Sequence, residues 1–85
     1  MKILKIKHPK ELWVLLKNRE ELYENNHLIN IFMDYTDLWI NGCPCDEEEN
    51  FKCMVDTFEE MMEDDNIINL LKNNLGYDDI GVILE

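Results

Sequence analysis

The chain of 85 residues contains no alanine, no serine and no glutamine, and it has no long apolar run. The absence of serine excludes a serine nucleophile. A helix needs about 18 or more consecutive apolar residues to cross a bilayer, and no segment reaches that length. The first ten residues alternate lysines with apolar residues, unlike the continuous apolar stretch of a signal peptide. We therefore expect no membrane association and a cytoplasmic location.

Basic residues are scarce, since 8 lysines and arginines stand against 19 aspartates and glutamates and give a formal net charge of -11. Binding to nucleic acid requires lysine or arginine to displace the counterions around the phosphates. Direct binding of nucleic acid is therefore not expected. The same excess of carboxylates suits a basic protein partner.

The length predicts a single domain over residues 1–85. Hydrophobic residues make up 46% of the chain, which is enough for a packed core. A domain of this size buries only about 60% of the surface that its unfolded chain exposes, so its free energy of unfolding is small unless a further interaction stabilises it. A second subunit is one such addition.

The two ends of the chain carry β-favouring segments. Residues 1–7 form a short run of isoleucine and leucine among lysines, which His8-Pro9 stops. Residues 77–85 follow Gly76 and end in an apolar Val-Ile-Leu sequence, so we expect an extended segment that can pair with the first one.

Helical spacing of apolar residues predicts a first helix over residues 9–25. Pro9 suits its first turn, where a missing N–H costs nothing. Arg19 interrupts the apolar face of this helix. The face itself comprises Leu12, Leu15, Leu16, Leu22 and Tyr23.

Residues 27–41 form the most informative segment. As a strand, residues 28–35 alternate poorly between polar and apolar, although an α+β fold with a strand there is the alternative. As a helix, the segment gathers its polar residues into one narrow stripe of Asn30, Asp34, Asp37 and Asn41. Apolar residues then cover more of the circumference than one neighbouring helix can bury, so this helix is central in the array or shared with a second chain. We expect its interface residues to be Leu28, Ile31, Phe32, Tyr35, Leu38 and Trp39.

Two more helices are predicted, over residues 46–64 and 66–75. The first has a narrow apolar stripe, and its opening run of acids lies where carboxylates interact well with free N–H groups and the helix dipole. Gly42 and Gly76 are typical of left-handed residues that follow a helix. The predicted fold is therefore mainly α, a small four-helix array with short extended N- and C-terminal segments.

The three cysteines raise a thiol-redox or metal-binding alternative. Cys43 and Cys45 form a C-P-C pair, and Cys53 follows eight residues later. His27 or His8 would have to supply the fourth ligand. A structural zinc site usually takes four converging ligands, often from paired C-x(2–4)-C motifs. The usual redox motif is C-x-x-C at a helix start, and the acids that follow Cys45 disfavour a thiolate. Small residues in a turn are the simpler interpretation.

Nothing in the sequence converges on a catalytic site, so no catalytic residue and no cofactor is predicted. The expected function is a non-enzymatic protein–protein interaction or assembly factor that acts through apolar helix faces. The expected partner is a protein, and we expect the chain to form a homo-oligomer. The cysteine-based redox or metal function is the alternative.

Overall fold

The structure is a computed structural model that describes residues 1–42 and 47–83. The described elements follow one another in the order β1, α1, α2, α3, α4, α5 and β2. Their bounds are β1 Ile3–Ile6, α1 Pro9–Leu16, α2 Glu20–Tyr23, α3 His27–Asn41, α4 Glu47–Glu63, α5 Asp65–Leu75 and β2 Asp79–Val82. The predicted fold class is confirmed: the chain is mainly α with short extended termini.

The α1 helix begins as the sequence predicts. His8 is extended (φ -149, ψ 140), as the residue before a proline prefers, and its Nδ1 atom accepts a hydrogen bond from the Lys10 backbone N–H at 3.0 Å. Pro9 then occupies the first turn. The side chain of His8 therefore caps the helix that Pro9 opens.

The single helix predicted over residues 9–25 is wrong, because the structure divides it into α1 and α2. The break lies at Arg19, whose φ of -122 and ψ of 60 are not helical. Its guanidinium Nη2 donates to the Asn74 backbone oxygen at the end of α5, at 2.6 Å. This contact joins residues far apart in the sequence, so local helical spacing could not indicate it.

The α3 helix spans the predicted residues, and the alternative strand over residues 28–35 is wrong. Asn26 caps it, because its side-chain oxygen accepts from the backbone N–H groups of Leu28 (3.1 Å) and Ile29 (3.2 Å). At the other end, the Gly42 N–H donates to the Leu38 carbonyl at 2.7 Å. Gly42 has a φ of -86, so the expected left-handed conformation is wrong at this position.

The α3 and α4 helices form the largest helix pair of the fold, and they run antiparallel. The ring of Phe32 lies 6.0 Å from that of Phe58, and the ring of Trp39 lies 5.3 Å from that of Phe51. Later residues of α3 thus meet earlier residues of α4. The buried apolar core draws on every helix and on β1, and it comprises Ile6, Leu12, Leu16, Leu22, Ile29, Phe32, Met33, Met54, Phe58, Met61, Ile67 and Leu71.

The α5 helix starts and ends with local signals that the sequence carries. The Asp64 side chain accepts from the Asn66 N–H at 2.9 Å, and Gly76 is left-handed with a φ of 79. The two terminal strands then pair, as expected, and they do so in parallel, with Ile3 opposite Asp79 and Ile6 opposite Val82. Parallel strands need a long crossover. Here the helical array provides it.

Among the described helices, none combines the length and the apolar character that crossing a membrane requires.

Candidate functional site

One side of α3 carries a row of four half-buried or exposed apolar residues, called here the α3 stripe: Leu28, Ile31, Tyr35 and Leu38. They recur at i, i+3, i+7 and i+10 and therefore share one side of the helix. Leu28, Ile31 and Tyr35 are half-buried, whereas Leu38 is 48% exposed. All four belong to the interface predicted from the sequence.

The other two predicted interface residues lie in contacts within the chain. Phe32 is fully buried and packs against Phe58, so it belongs to the core of the single chain and is unavailable to a partner in this fold. Trp39 is half-buried, with its ring 5.5 Å from that of His8 and 5.3 Å from that of Phe51. Leu28 and Tyr35 also pack against the core with part of their surface. The α3 stripe therefore offers a partner the exposed Leu38 and the uncovered parts of its other three residues.

The polar residues of α3 lie beside the stripe, as their spacing predicts. Asp34, Asp37 and Asn41 are exposed and Asn30 is half-buried. Asn41 Nδ2 donates to Asp37 Oδ1 at 3.0 Å. In the part of the chain that the structure describes, the only ion pair joins Arg19 to Glu21, so both aspartates lack a cationic partner there.

A groove of about 290 Å³ lies between α1, α2 and α3, and it is called here the α1–α3 groove. Its walls combine aromatic, acidic and basic side chains, namely Trp13, Lys17, Tyr23, Met33, Asp34 and Asp37. The Lys17 ammonium lies 5.6 Å from the centre of the Trp13 ring, which is cation–π distance. The groove thus brings two aromatic rings and two carboxylates to one place.

The negative charge around this groove acts on Tyr23. Burial raises the pKa of its phenol above the ordinary value of 10.0, because the phenolate loses solvation. Neighbouring carboxylates raise the pKa further, and these are Glu20, Glu24, Asp34 and Glu21. The potential at this end of the groove is therefore negative.

The Asp34→Asn substitution is expected to lower the Tyr23 pKa towards 10.0, because it removes one of the charges that oppose the phenolate. NMR titration of the Tyr23 ring measures this pKa directly, and Asp56→Asn, which removes an exposed carboxylate of α4, is the control.

The folded state binds the hydroxyl proton of Tyr23 more tightly than the unfolded chain does. Raising the pH above 10.0 should thus lower the free energy of unfolding until the folded-state pKa is passed. An unchanged Tyr23 pKa in the Asp34 variant would contradict the geometry.

Charge is unevenly distributed along the chain. Four of its eight basic residues lie among the first ten positions, so the remainder carries all 19 acids against four bases. Next to Leu28, at one end of the α3 stripe, an open groove at the corner between α4 and α5 is lined by further carboxylates, namely Glu60, Glu63, Asp64 and Asp65. The α3 stripe therefore has carboxylates beside it on α3 and at its Leu28 end.

The cysteine-based alternative rests on residues that the structure describes only in part. Cys43 and Cys45 lie outside the described residues. Cys53 is a free, half-buried thiol on α4, and His27 is exposed in the first turn of α3, which Asn26 caps. Within residues 1–42 and 47–83, no three histidine, cysteine or acidic side chains are placed to hold a metal ion. The redox or metal function stays a prediction.

Sequence reasoning missed the α1–α3 groove, and in particular Trp13 and Lys17. Its residues come from three helices, and only the packing of those helices shows that they meet. One signal was present: an aromatic residue and a lysine four positions apart on a helix lie on the same side and can form a cation–π contact. That spacing indicates the local pair but not the aspartates opposite it.

Comparison of this chain with protein-family models, with curated proteins and with solved structures finds no match. Its function must therefore be inferred from its own residues.

Proposed function

We propose that this protein is a non-enzymatic interaction module that binds a basic, amphipathic segment of another protein through the exposed side of α3. The observation that carries the proposal is the α3 stripe with carboxylates beside it. An apolar row gives a partner something to bury, and the adjacent aspartates select a partner with lysine or arginine next to its apolar residues.

Charge supports a basic partner over a second copy of the same chain. Two copies would each bring a net charge of -11, and like charges at close range oppose association. Homo-oligomerisation through the same stripe stays a prediction from the sequence. Analytical ultracentrifugation of the purified protein tests it, since a dimer at micromolar concentration would favour self-association.

The Leu38→Gln substitution tests the stripe, and Val14→Gln is its matched control. The side chains of Leu38 and Val14 are both about half exposed (48% and 45%), and both substitutions leave the net charge unaltered. Burying the exposed half of Leu38 should contribute about 1 kcal/mol, so its loss should weaken partner binding about fivefold. Val14 lies on α1, outside the stripe, and its substitution should leave binding unchanged.

The experiment uses the wild-type protein and both variants as baits in extract from the native source, with quantitative mass spectrometry. The proposal expects a basic protein that wild type and Val14→Gln retain equally and that Leu38→Gln retains less. Salt should weaken its binding, because exposed charge pairs are screened. Equal retention of every captured protein by the three baits would overturn the proposal.

A further inference from the structure

The α1–α3 groove has the size and the lining to take one long side chain. Its volume of about 290 Å³ is at the small end of the range for ligand sites. Trp13 and Tyr23 are half-buried aromatic residues, and Met33 adds a buried apolar wall. The apolar part of this lining can pack against the alkyl stem of a long side chain.

The Lys17 ammonium shows that the groove already holds a cation over an aromatic face. It lies 5.6 Å from the centre of the Trp13 ring, at a distance where the ring attracts positive charge. Lys17 is exposed and its stem is flexible, so its ammonium can move aside for an incoming cation. The indole face is therefore a cation-binding surface that an external group can reach.

The carboxylates of the groove provide a second group, besides the Trp13 ring, that can bind a cation. Asp34 and Asp37 are one helical turn apart, so both project from the same side of α3. Both are exposed, and neither forms an ion pair with a lysine or arginine among the described residues. The aspartates and Trp13 thus border one groove whose one basic lining residue, Lys17, contacts Trp13 and forms no ion pair among the described residues.

We propose that the α1–α3 groove binds the ammonium or guanidinium group of a lysine or arginine side chain of the basic partner. This inference rests on the proposed function for the source of that side chain. The cation lies over the Trp13 ring, and Asp34 and Asp37 accept its hydrogen bonds. Because the aspartates also border the α3 stripe, one basic amphipathic segment can fill the groove and cover the stripe.

The test is an NMR titration of the whole protein with N-acetyl-lysine-methylamide and with N-acetyl-arginine-methylamide. N-acetyl-norleucine-methylamide is the neutral probe of matched shape. Binding should shift the indole N–H signal of Trp13 and the methyl signal of Met33 in a saturable way, and it should leave Trp39 unaffected. The norleucine probe should cause no saturable shift.

Three variants make the titration specific to the groove. Asp34→Asn should weaken binding of the charged probes about two- to fivefold, as expected for loss of an exposed charge pair. Asp56→Asn removes the same charge from α4, away from the groove, and should leave binding unchanged. Lys17→Gln removes the internal competitor and should strengthen binding about two- to fivefold, since a cation–π contact at an exposed site is of that size.

The proposal is overturned if the charged probes leave the indole N–H signal of Trp13 unshifted or if the norleucine probe shifts that signal equally. It is also overturned if Asp34→Asn and Asp56→Asn weaken binding of the charged probes to the same extent. The titration needs no partner, so its failure is separable from that of the proposed function. Probe binding without a stripe-dependent partner would support the groove and overturn the interaction module. A stripe-dependent partner without probe binding would overturn the groove alone.

Discussion

Replacing Phe32 with alanine is expected to lower the free energy of unfolding by about 3 to 5 kcal/mol. Phe32 is fully buried in the single chain, and its ring packs 6.0 Å from that of Phe58. Removing the ring leaves a cavity between α3 and α4. The free energy of unfolding therefore falls by the transfer free energy of the removed atoms and, in addition, by the cost of the cavity. At about 0.05 to 0.15 kcal/mol per residue, a domain of this length has little stability beyond that loss.

Urea denaturation followed by circular dichroism measures the change, and Leu38→Ala is the matched control. Leu38 lies on the same helix but is 48% exposed, so its truncation should cost less than about 1 kcal/mol. This comparison also tests whether Phe32 belongs to the core, where the structure places it, or to an interface, as the sequence predicts. A small loss of stability for Phe32→Ala, similar to that of Leu38→Ala, would mean that Phe32 is not in the core.

Gly42→Ala is expected to lower the free energy of unfolding by about 1 to 3 kcal/mol, as overpacking at a rigid site does. The φ of Gly42 is -86, so the cause is not backbone conformation. A methyl group at this position would clash with the backbone carbonyl of Leu38, which accepts the Gly42 N–H at 2.7 Å. The backbone would have to move away, and the hydrogen bond that closes α3 would be lost.

Gly81→Ala in β2 is the control for Gly42→Ala, because no heavy atom lies within 4 Å of the added methyl group. That variant should be unchanged or up to about 1 kcal/mol more stable, because alanine reduces the freedom of the unfolded chain. Thermal unfolding of both variants at one protein concentration provides the comparison. Equal stabilities of the two variants would show that the end of α3 tolerates a side chain at residue 42.

The sequence predicts the secondary structure well where the signals are local. The α3 helix follows from polar residues at helical spacing, and α5 from an aspartate cap and a glycine end. The break between α1 and α2 has no such signal, because neither Asn18 nor Arg19 forces a chain out of a helix. Arg19 instead donates to Asn74, and that contact exists only once α5 has packed nearby.

The candidate site was predictable only in part, and α3 shows why. Periodicity indicates which residues share a side of a helix, and it placed Leu28, Ile31, Tyr35 and Leu38 together. It cannot show which side another helix covers. Phe32 therefore entered the predicted interface although α4 buries it, and Trp13 was not connected with Asp34 and Asp37.

The parallel pairing of β1 with β2 has a consequence for the order in which the protein folds. Ile3 and Asp79 are 76 positions apart, and we expect such a non-local pair to form late, because loop closure must be paid before the contact stabilises the chain. The antiparallel α3 and α4 helices, by contrast, are close neighbours in sequence and can associate early. We therefore expect the pairing of β1 with β2 to form after the α3–α4 pair, and with it the burial of Ile6 in the core.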